Sequence, residues 1–250
     1  MINHWREMAS SKYLIAYLIV LHLALGLVLM KSDFLQRVRS YLGELPPELS
    51  THYHSMLAYH SLMDNQAPEG AILFIGDSIT QSLAVTNIAP KSINYGIGSD
   101  TTLGVLQRLG VYKSLGRAEV IVLAVGLNDL KRRDPDAIVR NYAQILKRLP
   151  QDAGVIISAI HPVDEAKRGP QQSNRRIRQV NQGLERLASS DPRWVYTDAG
   201  RRLGDSRGNL KPAYHVGDGV HLSAAGYAIW TEALKAAIDV LTDSRSDTAS

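Results

Sequence analysis

Five short apolar runs, separated by stretches with helical periodicity, constrain the fold of this chain most strongly. The runs are AILFIG (71–76), SINYG (92–96), EVIVLAVG (119–126), GVIISAI (154–160) and WVYTD (194–198). Near-continuous apolar strands are typical of a parallel sheet covered on both faces, because crossover connections, usually helices, join parallel strands. The pattern predicts an α/β domain with about five parallel strands.

The stretches between these runs have the periodicity of amphipathic helices. A first helix is predicted from Ser50 to about Asn65, and a later one begins at Asp134-Pro135, a sequence typical of a helix N-terminus. Apolar stripes expected to face the core are Ile138, Tyr142, Ile145 and Leu149; Ile177, Val180, Leu184 and Leu187; and, after a predicted cap at Ser223, Tyr227, Trp230, Leu234, Ile238 and Leu241. Residues 242–250 are polar without such a stripe, and we expect a disordered tail.

The N-terminal segment has the properties of a membrane anchor. Residues 13–30 read YLIAYLIVLHLALGLVLM and carry no formal charge at neutral pH. As a helix they nearly span the ~30 Å hydrocarbon layer of a bilayer. We predict a short head at residues 1–12, a transmembrane anchor at 13–30, and a juxtamembrane stalk with the first helix at 31–69. A cleaved signal peptide is the main alternative, since Arg6 and Lys12 supply a basic start; a buried soluble helix is the other.

Basic residues flank this segment on both sides in nearly equal number, so the positive-inside rule does not distinguish the two orientations clearly. A short head followed by a long domain resembles a signal anchor. This arrangement predicts a single-pass membrane protein with its main domain outside the cytoplasm.

The composition excludes several kinds of site. The chain has no cysteine, which rules out a disulfide framework, a thiolate zinc site, an iron–sulfur cluster and a cysteine nucleophile. Its net charge is +4, and the densest basic cluster, Arg175, Arg176 and Arg178, alternates with apolar helical positions. We interpret this cluster as a solvated helix face and predict no nucleic-acid partner.

Glycine and small polar residues follow three of the predicted strands. The segments are GDSIT (76–80), GIGSDT (96–101) and GLND (126–129), and DGVH (218–221) precedes the last helix. In an open parallel sheet, ligands bind at the carboxyl ends of the strands. Singly, each segment has another interpretation: such a serine is often a helix N-cap, and 96–101 could be a fragment of a phosphate-binding turn.

Together, these segments contain the groups that acyl transfer requires. A serine hydroxyl becomes a good nucleophile when a histidine accepts its proton and a carboxylate orients that histidine. Ser78, His221 and Asp218 fit these roles, and Asp218 precedes His221 by three residues on one loop. The sequence therefore predicts a Ser–His–Asp site.

The same strand ends offer hydrogen-bond donors for the oxyanion of a tetrahedral intermediate. We expect these donors to be the backbone N–H groups of Ser78 and of the 98–99 turn, together with the side-chain amide of Asn128. Each donor of this kind is worth about 2.7–4 kcal/mol in an enzyme that uses it.

Four ordered blocks resemble the motifs of the SGNH (GDSL-like) hydrolases: GDSIT (76–80), NYGIGSDTT (94–102), GLND (126–129) and DGVHLSAAGY (218–227). They look most like the branch containing platelet-activating-factor acetylhydrolase subunits and related bacterial esterases. The likeness covers about residues 70–241. It implies a flavodoxin-like three-layer α/β/α sandwich of about five parallel strands, with no metal or organic cofactor.

For the site, the resemblance implies Ser78 as nucleophile and oxyanion donor, Asn128 as side-chain donor, His221 as general base and Asp218 as the residue that orients it. The family's glycine donor stands just before the aspartate of the second block, and that position is Ser99 in this chain. The oxyanion hole persists if the local φ and ψ suit a residue with a Cβ. Gly98 is the reserve donor.

These observations predict a membrane-anchored serine esterase that cleaves a small-molecule, lipid or glycan ester with a small or medium acyl group through an acyl-Ser78 intermediate. An acyl or acetyl transferase using the same site is one alternative, and a non-catalytic envelope binding module on the same fold is another. Nucleotide binding at 96–101 is disfavoured, because the chain has no G-x-x-x-x-G-K-[ST] loop. The oligomeric state is left open.

Overall fold

A computed structural model describes the backbone of residues 2–31 and 50–248 and the side chains of residues 13–28 and 50–243. The chain divides into two compact units, Met1–Thr51 and His52–Ser250. The first unit contains helix α1 (Ile2–Lys31), whose described side chains are almost all exposed. No helix in the described part of the chain has both the length and the hydropathy of a membrane span, so the span predicted at 13–30 is not confirmed. The predicted stalk lies outside the described residues from position 32 to position 49.

The second unit alternates strands and helices, as the sequence predicts. Its strands are β1 (Ala71–Gly76), β2 (Ser92–Gly96), β3 (Ala118–Ala124), β4 (Gly154–Ser158) and β5 (Trp194–Thr197). Its helices are α2 (Thr51–Asp64), α3 (Ser78–Gln81), α4 (Thr102–Arg108), α5 (Pro135–Arg148), α6 (Asn174–Ala188), α7 (Gly200–Leu203) and α8 (Ala224–Thr248). The predicted first helix, from Ser50 to about Asn65, is α2 within one residue at each end.

The five strands form one parallel sheet in the order β2-β1-β3-β4-β5. This is the strand order of flavodoxin-like doubly wound folds. All six residues of β1 and all five of β4 are buried, as expected for the inner strands of such a sheet. The sequence-based prediction of about five parallel strands is therefore confirmed.

The hydrophobic core lies between the sheet and the helices that carry the predicted stripes. Ile138 and Tyr142 on α5 and Val180 and Leu184 on α6 are fully buried, and Trp230 on α8 is 1% exposed. Helix α5 contacts α4 and α6, whereas α8 contacts β4 and β5. The stripes thus face the core, and the polar faces remain in water.

Two glycines allow the chain to turn tightly where β1 and β2 end. A Cβ at Gly76 would lie 2.3 Å from the Ala124 carbonyl oxygen, and a Cβ at Gly96 would lie 2.2 Å from the backbone nitrogen of Gln81. Only a residue without a side chain permits this approach. The turn after β1 consequently lies against the ends of both neighbouring strands, at the point where the strand order reverses.

The last helix is longer than the sequence predicts. Helix α8 continues from its last core residue, Leu241, to Thr248, across most of the segment predicted to be a disordered tail. Once a long helix is anchored by its core face, each added residue costs little, because nucleation has already occurred. Hydrophobic periodicity reflects packing against the core, so the sequence predicts this helix only as far as Leu241.

Candidate active site

Ser78 is the first residue of α3 and is separated from β1 by the single residue Asp77. The Asp77 side chain caps this helix, with Oδ1 accepting a hydrogen bond of 3.0 Å from the backbone N–H of Ile79. In the first turn of a helix, backbone N–H groups have no partner within the helix. The Ser78 N–H is one of these, and the Ser78 side chain is only partly buried at the carboxyl edge of the sheet.

His221 and Asp218 lie next to Ser78, although they come from the C-terminal part of the chain. Ser78 Oγ lies 2.9 Å from His221 Nε2, and the two residues are 143 positions apart. His221 Nδ1 hydrogen-bonds to Asp218 Oδ2. The other carboxylate oxygen, Asp218 Oδ1, accepts hydrogen bonds from the backbone N–H groups of Val220 at 2.9 Å and His221 at 3.0 Å. The three predicted side chains are thus connected in the order hydroxyl, imidazole, carboxylate.

The Asp218 carboxylate is held in its charged form. Partial burial raises its pKa, but hydrogen bonds from the His221 ring and from the backbone N–H groups of Val220 and His221 outweigh burial and lower the pKa to about 2. Asp218 is therefore an anion at neutral pH. An anion at this position stabilises a positive charge on the neighbouring imidazole.

Ser99 and Gly98 differ in what their backbone N–H groups contact. The Gly98 N–H donates to Gln81 Oε1 at 2.5 Å, so this reserve donor already has a partner. Among the described residues, the Ser99 N–H has no hydrogen-bond acceptor, and Ser99 is exposed to solvent. Ser99 adopts φ = +66°, the left-handed conformation that a glycine would adopt without strain. The turn thus leaves Ser99, rather than Gly98, with a free N–H.

Asn128 follows β3 and faces the same turn. Its Nδ2 donates to the Asp100 carbonyl oxygen at 3.1 Å. A side-chain amide has two N–H donors, and the described contacts of Asn128 occupy one of them. This contact orients the amide while leaving a second N–H for another acceptor.

Two further aspartates next to these motifs have structural partners. Asp129 is fully buried and accepts hydrogen bonds from the Thr102 backbone N–H at 2.9 Å and from Thr102 Oγ1 at 2.6 Å. Asp77 is 4% exposed and caps α3. These contacts favour a structural role for both.

A buried arginine supports the turn and is not singled out by the sequence motifs. Arg108 is fully buried, and its guanidinium donates to Asp100 Oδ2 at 2.8 Å, to the Tyr95 carbonyl at 2.7 Å and to the Gly76 carbonyl at 3.1 Å. It therefore ties the ends of β1 and β2 to the 96–101 turn. An arginine that closes the segment TLGVLQR, whose only other polar residues are Thr102 and Gln107, is the sequence signal that could have identified it.

His161 lies beside the site and outside the Ser–His–Asp arrangement. It lines a small cavity of about 20 Å³ together with Asp77, Ile79, Leu127 and Trp230. Burial lowers the pKa of His161 to about 4, and its ring contacts Trp230 edge-on with centroids 5.0 Å apart. His161 is therefore a neutral wall residue of this cavity at physiological pH.

The burial of Asp77 makes folding stability depend on pH in a specific direction. Burial raises the Asp77 pKa from 3.8 to about 7, although the hydrogen bond from the Ile79 N–H opposes this. Between about pH 4 and pH 7 the folded state keeps a proton that the unfolded state has lost, so raising the pH favours unfolding. We expect the unfolding free energy of wild type to fall relative to that of Asp77→Asn across this window, by at most about 4 kcal/mol.

Urea unfolding at intervals from pH 4 to pH 8 would measure this difference. Asparagine is a good N-cap, so the variant keeps the cap of α3. Replacing the exposed Asp239 by asparagine is the matched control for the substitution of an aspartate by asparagine. Parallel curves for wild type and Asp77→Asn would contradict the raised pKa.

The left-handed conformation of Ser99 predicts a stabilising substitution. The conformation costs a residue with a Cβ about 1–2 kcal/mol, while glycine loses more backbone entropy on folding. We expect Ser99→Gly to raise the unfolding free energy by about 0.5–1 kcal/mol, measured by urea unfolding. Ser189, with φ = −69°, is the control, since Ser189→Gly should lower stability by about 0.5–1 kcal/mol. Equal losses for both variants would show that Ser99 is not strained.

The fold and this arrangement of side chains define an α/β protein of the hydrolase class with a candidate Ser–His–Asp site. The family model for the GDSL-like lipase/acylhydrolase family matches residues 74–229. The chain therefore belongs to the GDSL-like lipase/acylhydrolase family, and it is a carboxylic ester hydrolase.

Curated and solved proteins agree with this membership. Platelet-activating factor acetylhydrolase IB subunit alpha1 of Rattus norvegicus is 26% identical over 181 residues, covering 68% of this chain and 76% of the relative. A Streptococcus pneumonia protein provisionally named a platelet activating factor is 26% identical, with a TM-score of 0.71, covering 83% of this chain and 97% of that one. An acetyl-xylooligosaccharide esterase variant from Geobacillus Stearmophilus shares the fold, with 20% identity, a TM-score of 0.56 and coverage of 69% and 94%.

Proposed function

We propose that this protein is a serine esterase in which Ser78 is the nucleophile and His221 the general base. Asp218 orients His221 and stabilises its positively charged form. The observation that carries the proposal is the contact of 2.9 Å between Ser78 Oγ and His221 Nε2, with the other ring nitrogen of His221 bonded to Asp218. This geometry lets a proton move from the hydroxyl to the imidazole as the hydroxyl attacks.

In the first step, Ser78 Oγ forms a bond to the ester carbonyl carbon while His221 Nε2 takes the hydroxyl proton. The carbonyl π electrons move to the oxygen, which becomes an oxyanion. The imidazolium that results lies next to the Asp218 carboxylate. Because that carboxylate is already ionised, it stabilises the imidazolium without taking its proton.

Three donors are proposed for the oxyanion: the backbone N–H groups of Ser78 and Ser99 and the second N–H of Asn128. Two observations support this set. The Ser78 N–H belongs to the first turn of α3, where no helical partner exists, and the Ser99 N–H is free whereas the Gly98 N–H is bonded to Gln81. Donors that are already oriented stabilise the developing charge without a cost of reorganisation.

The intermediate then collapses, and the bond between the carbonyl carbon and the alkoxide oxygen breaks. The His221 proton passes to the departing alcohol, leaving an acyl-Ser78 ester. A water molecule attacks this ester while His221 accepts one of its protons, and collapse of the second intermediate returns that proton to Ser78 Oγ. The acid leaves, and the site is restored.

We propose a small or medium acyl group for the substrate. The cavity beside the nucleophile has a volume of about 20 Å³ and is lined largely by apolar residues, among them Ile79 and Leu127. By this measure the space holds about one water-sized group, which favours a short acyl group over a long one. The names of the related proteins, an acetylhydrolase and an acetyl-xylooligosaccharide esterase, support the same choice.

We also propose that residues 13–30 anchor the protein in a membrane, with the catalytic unit outside the cytoplasm. The support is the apolar surface of α1, where Leu23 and Val28 have exposed fractions of 63% and 62%. An apolar surface of this extent is unfavourable in water and favourable in a hydrocarbon layer. Fractionation of cells expressing the full chain, with protease protection of the catalytic unit, tests both parts.

The experiment that tests the activity is hydrolysis of p-nitrophenyl acetate, butyrate and octanoate by the purified full chain in mild detergent. A phosphonate probe, located by mass spectrometry, identifies the nucleophile. We expect turnover that is fastest for the short chains, and a label on Ser78. A folded protein that neither turns over these esters nor takes the label would contradict the proposal and favour a transferase or a binding module.

A further inference from the structure

His215 is a buried histidine that lies six residues before His221 and outside the motif blocks. Its side chain is only 2% exposed. The ring Nδ1 accepts hydrogen bonds from the backbone N–H groups of Gly217 at 2.9 Å and Gly219 at 3.2 Å. One ring nitrogen thus holds the N–H groups on both sides of Asp218.

The turn around Asp218 requires such an acceptor. Gly217 and Gly219 have φ values of +107° and +80°, conformations in which their N–H groups converge on the same side of the turn. Gly219 is buried whereas Gly217 is exposed, and a buried N–H without a partner costs about 1–3 kcal/mol, so the acceptor matters most for Gly219. His215 satisfies both groups, and Asp218 is then free to accept the N–H groups of Val220 and His221 on the other side.

A neighbouring loop holds the same turn from outside. The Asp164 N–H donates to the Gly219 carbonyl at 2.9 Å, and Lys167 Nζ donates to the Gly217 carbonyl at 2.6 Å. A Cβ at Gly219 would lie 3.1 Å from the Cβ atoms of Asp164 and Lys167, so the two loops are in close contact. The position of Asp218 is therefore determined by His215 on one side and by this loop on the other.

These contacts also determine which ring nitrogen of His215 carries the proton. Because Nδ1 accepts two N–H groups, it has no hydrogen of its own, and the proton lies on Nε2. Nε2 faces Asp164 Oδ2 at 3.7 Å, which is too long for a hydrogen bond, and has no other partner among the described residues. The imidazole acts here as an acceptor through Nδ1.

We propose that His215 is a positioning residue for the reaction: it holds the 217–219 turn so that Asp218 orients His221 toward Ser78. The inference rests on the proposed function of these three residues. His215 contacts none of the reacting atoms, and its effect passes through the backbone of the turn. A displacement of about 1 Å in a catalytic group can lower a rate by about 100-fold.

Three substitutions in the full chain test this role. Asparagine places Oδ1 on Cγ, as histidine places Nδ1, so His215→Asn retains an acceptor near the two N–H groups. Glutamine carries its oxygen one carbon further out, and leucine has none. We expect His215→Leu and His215→Gln to lower kcat for p-nitrophenyl acetate about 10- to 100-fold with KM changed less than about threefold, and His215→Asn to remain within about threefold of wild type.

A spectroscopic readout separates positioning from general stability. The proton shared by His221 Nδ1 and Asp218 gives a far-downfield NMR resonance when the pair is aligned. We expect this resonance to be retained in His215→Asn and lost or shifted in His215→Gln, both compared at temperatures where circular dichroism shows them folded. The Asn and Gln pair retains the test even if His215→Leu does not fold.

Two results would overturn the proposal: wild-type kcat in His215→Gln, or equal losses in the Asn and Gln variants with an unchanged resonance. If wild type hydrolyses no ester, the proposed esterase function fails instead, and the resonance alone still decides whether His215 aligns the pair. The outcomes of the two proposals are therefore distinguishable.

Discussion

Replacing Ser78 by alanine should lower kcat/KM for p-nitrophenyl acetate by about 10⁴- to 10⁶-fold, the size of loss seen when the nucleophile of a Ser–His–Asp site is removed. The physical reason is that the variant has no atom to form the acyl-enzyme bond, and His221 has no hydroxyl 2.9 Å away to deprotonate. Initial rates with enough enzyme to detect the residual activity, together with phosphonate labelling, measure the effect.

Stability should change little in this variant, because Ser78 is partly exposed and the cap of α3 comes from Asp77. Ser189→Ala is the matched control: it removes another serine hydroxyl, on the exposed end of α6, and should leave the rate unchanged. If Ser78→Ala keeps more than about a hundredth of wild-type activity and the probe labels another residue, Ser78 is not the nucleophile.

Replacing Arg108 by methionine should destabilise the fold by about 3–5 kcal/mol, which is a large part of the net stability of a domain. The substitution leaves the Asp100 carboxylate buried without its cation and removes hydrogen bonds to the carbonyl groups of Tyr95 and Gly76. Burial raises the pKa of Asp100 to about 6 although Arg108 opposes this, so the pair is charged above that pH. Urea unfolding at pH 8 is the appropriate measurement.

A surface ion pair supplies the control for this prediction. Arg202 Nη1 lies 2.7 Å from Glu232 Oε2, with side chains 57% and 62% exposed. Arg202→Met removes the same group from a solvated pair and should cost less than about 1 kcal/mol. Similar losses for Arg108→Met and Arg202→Met would refute the view that the buried pair supports the turn.

The Arg108→Met variant should also hydrolyse esters more slowly than wild type under conditions in which it remains folded. The physical reason is that the 96–101 turn loses the hydrogen bonds through which Arg108 connects it to β1 and β2.

The fold was readable from the sequence because its determinants are local. A run such as AILFIG is short, ends in glycine and is buried on both faces of a parallel sheet, and the stripes of α5 and α6 mark one face of a longer helix. Run length and hydrophobic period together distinguish the two. The end of α8 was not readable in this way. The hydrophobic pattern of the sequence ends at Leu241, whereas the backbone of the helix continues to Thr248.

The candidate site was readable only in part. Ser78, Asn128, Asp218 and His221 were identifiable because acyl transfer uses these residue types and they lie in ordered blocks that follow β1 and β3 or precede the last helix. The choice between Ser99 and Gly98 was not, since it depends on which N–H group Gln81 accepts, and no sequence pattern specifies that contact. The role of Arg108 was also missed, because a basic residue on a helix usually faces water and here it is fully buried.

By itself, the sequence determined the elements, their order and the groups available for chemistry, because these follow from side-chain period, turn residues and functional groups along a short stretch of chain. Only the tertiary structure decided which groups meet. It placed Ser78 Oγ 2.9 Å from His221 Nε2, although the two residues are 143 positions apart, and it left the Ser99 N–H free in a strained turn. It also placed His215 Nδ1 against the N–H groups on both sides of Asp218. Hydrogen bonds depend on tenths of an ångström between segments far apart in the chain, and local periodicity carries no information about such distances.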